Sequence, residues 1–279
     1  MTTIRLGIST CPNDTFAFHA LMERLVDWQG LDFRIQLLDI QDLNDRLFAG
    51  DFDVAKASFH AALLLADGWI VLPSGSALGF GVGPLLLASA PHTIPQNLQQ
   101  VTLCPGRHTT ASLLFQLFYP GTTTLQHVVF SDIMPQLQNR SADFGVCIHE
   151  GRFTWQQQGL FLVEDLGTRW ETVTGCPLPL GGILAGRHLS PEIQKRVQSV
   201  IHDSLQYAIR NRSAALPTMR RYAQEFDDTV LMQHVDLYVN DWTLQLGDLG
   251  QTARQVLSAR ALQCGLVSLD SPPLEVLEM

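Results

Sequence analysis

Hydrophobic and polar positions along the first 75 residues follow two periods in turn. Apolar runs of strand length alternate with segments whose apolar residues recur at helical spacing. The predicted strands are IRLGIS, FRIQLLDI, DVAKAS and WIVLPS, and the predicted helices are TFAFHALMERLV, QDLNDRLFAG and FHAALLLA. Strands and helices that alternate in this way predict an α/β protein whose sheet is covered by helices.

The same order returns in the middle of the chain. QQVTLCPGRHTTASLLFQLF predicts a strand, a turn and a helix, as the N-terminal segment does. HVVFSDIMPQLQNRSADFGVCIHE then repeats the order of residues 33–60. We therefore predict a two-lobed α/β architecture with a cleft between mixed, mainly parallel sheets. Ligands of open α/β sheets bind at the carboxyl ends of the strands, so the cleft is the expected site.

Two stretches that contain glycine and proline set the predicted lobe boundaries. GVGPLLLASAPHTIP leads into the second lobe and GCPLPLGGILAGRHL leads back. The prediction assigns residues 1–90 and 186–279 to a discontinuous large lobe and residues 98–180 to a small lobe. Residues 91–97 and 181–185 are the predicted hinge linkers. The last third of the chain reads as helical and is expected to pack on the first lobe.

Composition limits the partners of the protein. The 279 residues carry a formal net charge of -9 with only two lysines, which argues against a nucleic-acid partner because such a surface needs a basic stripe. No apolar run reaches the roughly 18 residues of a membrane-spanning helix, so no membrane insertion is expected. The start MTTIRLGIST lacks the pattern of a secretory signal, which predicts a cytoplasmic protein. The sequence gives no signal for the oligomeric state.

Motifs for metals, disulfides and nucleotides do not occur in this sequence. The five cysteines are odd in number and form no C-x-x-C pair, so we expect reduced and mostly buried thiols. The nine histidines show no H-E-x-x-H spacing, and no phosphate-binding glycine loop is present. No metal and no organic cofactor is expected.

His149 stands at the end of the apolar run ADFGVCIHE. An imidazole that a strand delivers to a cleft can serve as a general base, because its pKa lies near neutrality. A strand-end histidine with one structural hydrogen bond is an equally good interpretation from the residues alone. Glu150 is expected to point to the other side, since neighbouring strand residues alternate faces.

Residues at two other predicted element ends could bind a ligand. Thr109 and Thr110 open the helix ASLLFQLF, where hydroxyls and free N–H groups suit a carboxylate, although an ordinary N-cap explains them as well. Lys56 and Ser58 end a strand; the alternative is a surface lysine and a turn serine. Asn13, at the corresponding helix start of the first lobe, is the next candidate for an anion contact.

Six segments in this order resemble one enzyme family over most of the chain: STCPNDTFAFHAL, VAKASFHA, LPSGSALGFGVGPLL, PGRHTTA, IHEGRFTW and PLPLGGILA. They are similar to the 1,4-dihydroxy-6-naphthoate synthases of the futalosine route to menaquinone. The resemblance implies the two-lobed fold of type II periplasmic solute-binding proteins in a cytosolic enzyme. It also implies a small anionic substrate.

The resemblance implies a lyase that cleaves cyclic dehypoxanthine futalosine to 1,4-dihydroxy-6-naphthoate and dihydroxyacetone without metal or organic cofactor. Within it, His149 is the proton acceptor. The implied substrate contacts are Lys56, Ala57, Ser58, Thr109 and Thr110. A retro-aldol cleavage needs such a base and donors for a developing oxyanion, and aromatisation of the ring supplies driving force.

The substrate is an anion with an apolar ring system, so the cleft should combine an anion-binding end with apolar walls. Aromatic candidates for these walls are Phe16, Phe59, Phe80 and Phe153. The alternative from another functional class is a solute-binding or sensor module of the same fold, which binds a small carboxylate without catalysis. Fold alone does not separate the two.

Overall fold

The computed structural model of the protein describes residues 2–149, 151–223 and 227–279. Its strands are β1 (Thr2–Ser9), β2 (Leu31–Leu38), β3 (Val54–Ser58), β4 (Trp69–Val71), β5 (Ala77–Gly79), β6 (Leu85–Ala88), β7 (Val101–Cys104), β8 (Thr124–His127), β9 (Phe144–Cys147), β10 (Phe161–Asp165) and β11 (Leu178–Gly186). Its helices are α1 (Pro12–Ala17), α2 (His19–Met22), α3 (Ile40–Phe48), α4 (Phe59–Leu64), α5 (Thr110–Phe118), α6 (Phe130–Gln138), α7 (Gly151–Thr154), α8 (Leu166–Thr174), α9 (Pro191–Arg210), α10 (Leu216–Tyr222), α11 (Asp228–Tyr238), α12 (Asp241–Leu244) and α13 (Gly247–Gln263), with a 3₁₀ helix at Arg212–Ala215.

The first sheet has the strand order β2–β1–β3–β11–β4, and β5 pairs with the other end of β11. β1 is parallel to β2 and β3, whereas β11 is antiparallel to β3, β4 and β5. The carboxyl ends of β1 and β3 therefore lie side by side at one edge. This arrangement places the residues that follow Ser9 next to Lys56 and Ser58.

The second sheet has the strand order β10–β6–β9–β7–β8. β7 is parallel to β8 and β9, and β6 is antiparallel to β9 and β10. Both sheets are mixed, as predicted. Parallel pairing is confined to the strands of the β/α repeats; the strands β6 and β11, which the chain enters from the other sheet, pair antiparallel. The expected predominance of parallel pairs thus holds only within the repeats.

Sheet membership differs from the predicted lobe boundaries at both crossings. Leu85–Ala88, placed in the large lobe by a boundary at residue 90, is strand β6 of the second sheet. Leu178–Gly186, predicted as the end of the small lobe and a hinge at residues 181–185, is a strand inside the first sheet. The remaining lobe assignment stays a prediction.

Two glycines explain why β11 forms a strand where the sequence indicated a linker. A Cβ atom on Gly181 would lie 2.5 Å from the carbonyl oxygen of Ala57, and one on Gly182 would lie 3.1 Å from the ring of Phe59. The glycines therefore allow β11 to approach β3 closely and do not mark a turn.

The first crossing segment meets the start of α8 at a backbone contact. The chain passes from β5 to β6 through residues 80–84 and returns between α8 and β11. A Cβ atom on Gly83 would lie 2.1 Å from Cα of Gly167, and the amide of Leu166 donates to the carbonyl of Pro84 at 3.0 Å. Only glycine permits this approach.

The N-terminal helix is shorter than predicted and begins earlier. α1 starts at Pro12 with Cys11 as its N-cap, and Phe18 divides it from α2. α2 ends at Met22, because Arg24 adopts a left-handed backbone conformation with φ of 55°. The helix predicted over residues 15–26 is thus two short helices, and Cys11 lies between the end of β1 and the start of α1.

The C-terminal helices pack on the first sheet. The apolar stripe of α9 meets the buried face of β1 in one core cluster, whose members include Ile4, Leu6, Ile8, Val197, Val200, Ile201 and Leu205. α11 packs against α1, so that it reaches the sheet edge from the other side. Within the described ranges no helix has the length and hydropathy needed to cross a membrane.

Candidate active site

A cavity lies between the carboxyl ends of β1 and β3 and the facing edge of the second sheet. It holds about 660 Å³ of empty space, its mouth included. The end of β9 and the first turn of α5 close it from the second sheet, and α11 contributes residues from the C-terminal third.

The cavity brings together five of the six residues that the family resemblance implied. Lys56, Ser58, Thr109, Thr110 and His149 all line it. The remaining residue, Ala57, lies between Lys56 and Ser58 on β3. Because neighbouring side chains of a strand point to opposite faces, the side chain of Ala57 packs in the hydrophobic core. Glu150, the other residue expected at this strand end, lies outside the described residues.

The backbone at His149 is unusual. His149 follows β9 and has a φ of 55°, a left-handed conformation that non-glycine residues seldom adopt. Such conformations cost about 1–3 kcal/mol and persist where the surroundings hold them, often at functional sites. The imidazole is half-buried, and Phe130 packs edge-on against it with ring centroids 4.6 Å apart.

Arg152 holds the loop that carries His149. One guanidinium nitrogen donates to the carbonyl of Gly83 at 2.5 Å and another to Asp165 Oδ2 at 2.6 Å. Asp165 also caps α8 by accepting from Gly167 N. The segment after His149 is therefore tied to the backbone contact at which the chain crosses between the sheets.

Cys11 reaches His149 from the first sheet. Its Sγ lies 3.3 Å from Nδ1 and 3.5 Å from Nε2 of the imidazole. Cys11 is half-buried and lines the cavity, whereas Cys147, two residues before His149, is buried in the core. Burial raises the pKa of the Cys147 thiol to about 12, so that this neighbour stays protonated.

Lys56 is not a surface lysine. Its ammonium donates to Asp14 Oδ1 at 2.6 Å and to the carbonyl of Gly75 at 3.2 Å, and both charged side chains are nearly inaccessible to solvent. An ammonium group has three N–H donors. Lys56 therefore keeps one donor beyond these two contacts, in a position that lines the cavity.

Asn44, on the buried face of α3, holds Ser58. Its amide donates to Ser58 Oγ at 3.1 Å, and its carbonyl oxygen accepts from Ser58 N at 3.0 Å. Because Ser58 Oγ accepts from Asn44, its own proton is directed elsewhere and can be donated in the cavity. Sequence reasoning missed Asn44, although a polar residue on an apolar helix face was a usable signal.

The hydroxyls of Thr109 and Thr110 are already engaged within the protein. Thr109 Oγ1 caps α5 by accepting from Ser112 N and donates to the carbonyl of Gly106. Thr110 Oγ1 donates to the carbonyl of Leu180 at 2.6 Å, which links α5 to β11 of the first sheet. The expected hydroxyl donors to a carboxylate are therefore occupied. The amides of Thr110 and Ala111, which have no intrahelical partner at the start of α5, remain for an anion.

His234, on α11, also lines the cavity and was missed from the sequence. It is almost fully buried, and its Nε2 lies 3.0 Å from Asn13 Oδ1. Burial, together with the nearby His149 and Lys56, lowers the pKa of His234 well below its usual range, so the ring is neutral at neutral pH. Its ring is nearly parallel to that of His149, with centroids 6.3 Å apart.

The predicted aromatic walls are not those of the cavity. Phe16 and Phe59 are fully buried in the core, Phe80 is half exposed beside Trp242, and Phe153 lies outside the cavity on α7. Aliphatic side chains and a tyrosine form the walls instead: Ile40, Val82, Ile148, Leu180 and Tyr238. Across the ranges 2–149, 151–223 and 227–279, no group of three or more His, Cys, Asp or Glu residues is arranged to hold a metal ion.

The fold and the position of the cavity define the class. A Candida albicans protein, described as having the generic periplasmic binding protein structural fold, superposes with a TM-score of 0.68 at 10% identity over 100% of this chain and 98% of that chain. At this identity the likeness shows the fold alone. The protein is two-lobed and periplasmic-binding-protein-like, as the sequence predicted.

Sequence relatives then give the family. The family described as "Menaquinone biosynthesis" matches residues 4–263. A Thermus thermophilus protein named 1,4-dihydroxy-6-naphthoate synthase is 39% identical over 99% of this chain and 100% of that protein. A Streptomyces coelicolor protein of the same name is 37% identical over 97% and 96%. The chain belongs to this menaquinone biosynthesis family, which confirms the resemblance seen in the sequence.

Proposed function

We propose that the protein is a carbon–carbon lyase that converts cyclic dehypoxanthine futalosine to 1,4-dihydroxy-6-naphthoate with release of dihydroxyacetone. The observation that carries the proposal is the placement of His149, which lines one cavity together with Lys56, Ser58 and the start of α5. The names of the two relatives support the reaction. We retain the cytoplasmic location expected from the sequence.

In this proposal His149 is the general base of a retro-aldol cleavage. It takes the proton of a substrate hydroxyl, and the O–H electron pair becomes the carbonyl bond of the departing three-carbon fragment. The electrons of the broken carbon–carbon bond pass into the ring system, which is protonated as it becomes the aromatic dihydroxynaphthoate. Donors in the cavity, the Ser58 hydroxyl and the remaining N–H of Lys56, stabilise the charge that develops on oxygen.

The substrate carboxylate binds, in this proposal, at the first turn of α5. The positive end of a helix and its unpaired amides favour an anion by about 0.3–2 kcal/mol for the dipole alone. Thr109, Thr110 and Ala111 line the cavity at this turn. Lys56 and Ser58 approach from the first sheet, so the substrate bridges both sheets and stabilises the closed arrangement.

The alternative is a binding module that recognises a small carboxylate and leaves it unchanged. Two observations favour the enzyme. His149 is held in a left-handed conformation, which binding alone does not require, and a thiol from the other sheet lies against its ring.

The test is conversion of the substrate by the purified protein. Cyclic dehypoxanthine futalosine is incubated with wild-type protein, and 1,4-dihydroxy-6-naphthoate and dihydroxyacetone are quantified by mass spectrometry in equal amounts. The His149→Ala protein is the matched control. Unchanged substrate, together with tight binding of it, would replace the lyase by the binding module.

A further inference from the structure

A row of polar side chains runs through the wall of the cavity opposite His149. Lys56 Nζ donates to Asp14 Oδ1, and Asn13 Nδ2 donates to the same oxygen at 3.0 Å. Asn13 Oδ1 then lies 3.0 Å from His234 Nε2. All four residues line the cavity, and they join helix α1, strand β3 and helix α11.

This row fixes the tautomer of His234. An ionised carboxylate only accepts hydrogen bonds, so Asn13 must turn its NH₂ group toward Asp14. Its carbonyl oxygen then faces His234 and requires a donor, which makes Nε2 the protonated nitrogen of the neutral ring. Nδ1 of His234 consequently carries a lone pair and is an acceptor.

Two acceptor atoms of this wall have no partner among the described residues. They are Nδ1 of His234 and Oδ2 of Asp14, on side chains that are almost fully buried. Buried polar atoms without a hydrogen bond are rare in folded proteins because they lose hydration without compensation. Both side chains belong to the cavity, so a ligand is the natural source of the missing donors.

We propose that Asp14 Oδ2 and His234 Nδ1 form a subsite for aliphatic hydroxyl groups of the substrate. This inference rests on the proposed function and assigns the polyol part of the substrate to one wall. Hydroxyls donate to two acceptors, whereas a second carboxylate there would be repelled by Asp14. The carboxylate end of the ligand is thereby directed to the first turn of α5, and the three-carbon fragment that leaves is held between His149 and His234.

Two substitutions of His234 separate its functions. In His234→Asn the side-chain oxygen takes the place of Nδ1 and the contact to Asn13 is lost. In His234→Gln the amide reaches Asn13 in the place of Nε2, and no acceptor remains at Nδ1. The subsite predicts that binding of the hydroxyl-bearing substrate weakens about 10-fold in the glutamine variant and less in the asparagine variant. Affinity for 1,4-dihydroxy-6-naphthoate, which has no aliphatic hydroxyl, stays within about 2-fold.

The readout is a binding titration with both ligands, with circular dichroism spectra to confirm folding. If glutamine preserves substrate affinity and asparagine does not, His234 only positions Asn13 and the subsite is wrong. Equal weakening for both ligands would also overturn it.

If wild-type protein neither binds nor converts the substrate, the proposed function fails, and dihydroxyacetone alone is then titrated. Binding of dihydroxyacetone that is lost in His234→Gln supports the subsite by itself, and no binding to wild type overturns it.

Discussion

Cys11 Sγ and His149 Nδ1 lie 3.3 Å apart, although 138 positions separate the two residues in the sequence. One follows the first strand of the first sheet and the other follows β9 of the second. The contact therefore exists only while the two sheets face each other closely. It makes Cys11 a chemical reporter of the closed cavity.

Alkylation of Cys11 should inactivate the enzyme. Cys11 is half-buried at the cavity, Cys264 is exposed, and the other three cysteines are buried. We expect iodoacetamide to abolish activity of a Cys264→Ser protein in step with one modified thiol, because the added group occupies the space beside His149. 1,4-Dihydroxy-6-naphthoate bound in the cavity should slow the alkylation of Cys11. Peptide mass spectrometry identifies the site, and full activity after modification of Cys11 would contradict the prediction.

Replacing His149 should slow catalysis far more than binding. His149→Ala is expected to lower kcat by roughly 10²- to 10⁴-fold, the usual effect of losing a positioned general base. Affinity for 1,4-dihydroxy-6-naphthoate should change little. His92→Ala is the control, since His92 is exposed and has a similar φ of 57°. Near wild-type turnover in His149→Ala would make this histidine structural.

Removing one partner of the buried pair Lys56–Asp14 should lower the free energy of unfolding much more than replacing both partners by apolar residues. Lys56→Met leaves an unpaired buried carboxylate, and we expect a loss of about 3–5 kcal/mol in the free energy of unfolding. The double variant Lys56→Met/Asp14→Leu should recover most of it. Arg187→Met, which breaks an exposed pair with Glu275, should cost less than about 1 kcal/mol. Urea denaturation measures the stability of all three variants; a double variant no more stable than Lys56→Met would contradict the prediction.

An amide of α5, and not a threonine hydroxyl, should bind the carboxylate. Thr110→Val removes the hydroxyl and keeps the N–H, whereas Thr110→Pro removes both. Proline is tolerated here because Thr110 is the first residue of α5 and Thr109 is already extended, with φ of -78° and ψ of 149°. We expect Thr110→Pro to weaken binding of the carboxylate ligand by about 5-fold beyond Thr110→Val. Calorimetric titration measures this; equal affinities would place the anion elsewhere.

Acid should weaken the contact between α4 and α5. His60 is buried there, its Nδ1 lies 3.3 Å from the carbonyl of Thr109, and burial lowers its pKa to about 4, helped by His108 and His127. The unfolded chain binds this proton near pH 6.5 and the folded protein only near pH 4. The folded protein therefore loses stability as the pH falls through this window.

His60→Asn provides the comparison, because its amide keeps a donor near Nδ1 and does not titrate. Urea denaturation between pH 7.5 and 4.5 should show a smaller decline for this variant than for the wild type. His108, whose Nδ1 lies 3.6 Å from Asp45 Oδ1, is present in both proteins. Parallel declines would show that His60 is not responsible.

The sequence predicted the strands and helices whose hydrophobic period is clear. The prediction was wrong where contacts between backbone segments determine the local structure. β1 and β3 were evident from their apolar runs. β11 was taken for a linker because Gly181 and Gly182 suggested a turn, and only the close approach to Ala57 explains them. The start of α1 was misplaced because Cys11, which precedes Pro12, is an uncommon N-cap without a side-chain bond.

The sequence predicted candidate site residues where they lie at the ends of strands or at the start of a helix. Lys56 and Ser58 lie in the last part of β3, His149 follows β9, and all three line one cavity. His234 gave no signal, because it lies inside a helix and meets Asn13 across 221 positions. The sequence also gave no sign that the threonine hydroxyls are already hydrogen-bonded. Thr109 donates to a carbonyl of the preceding loop, and Thr110 donates to a carbonyl of the distant strand β11.

The backbone contact of Gly83 with Gly167 has a consequence for how such enzymes can diverge. The chain leaves the first sheet through residues 80–84, where Gly83 meets Gly167, and returns to it only after α8, so residues 85–174 form one continuous block of the sequence. Exchange of that block between two relatives would transfer His149 and the start of α5 together, while Asp14, Lys56 and His234 stay with the recipient. A chimaera would thus inherit its base and carboxylate preference from one parent and its hydroxyl recognition from the other.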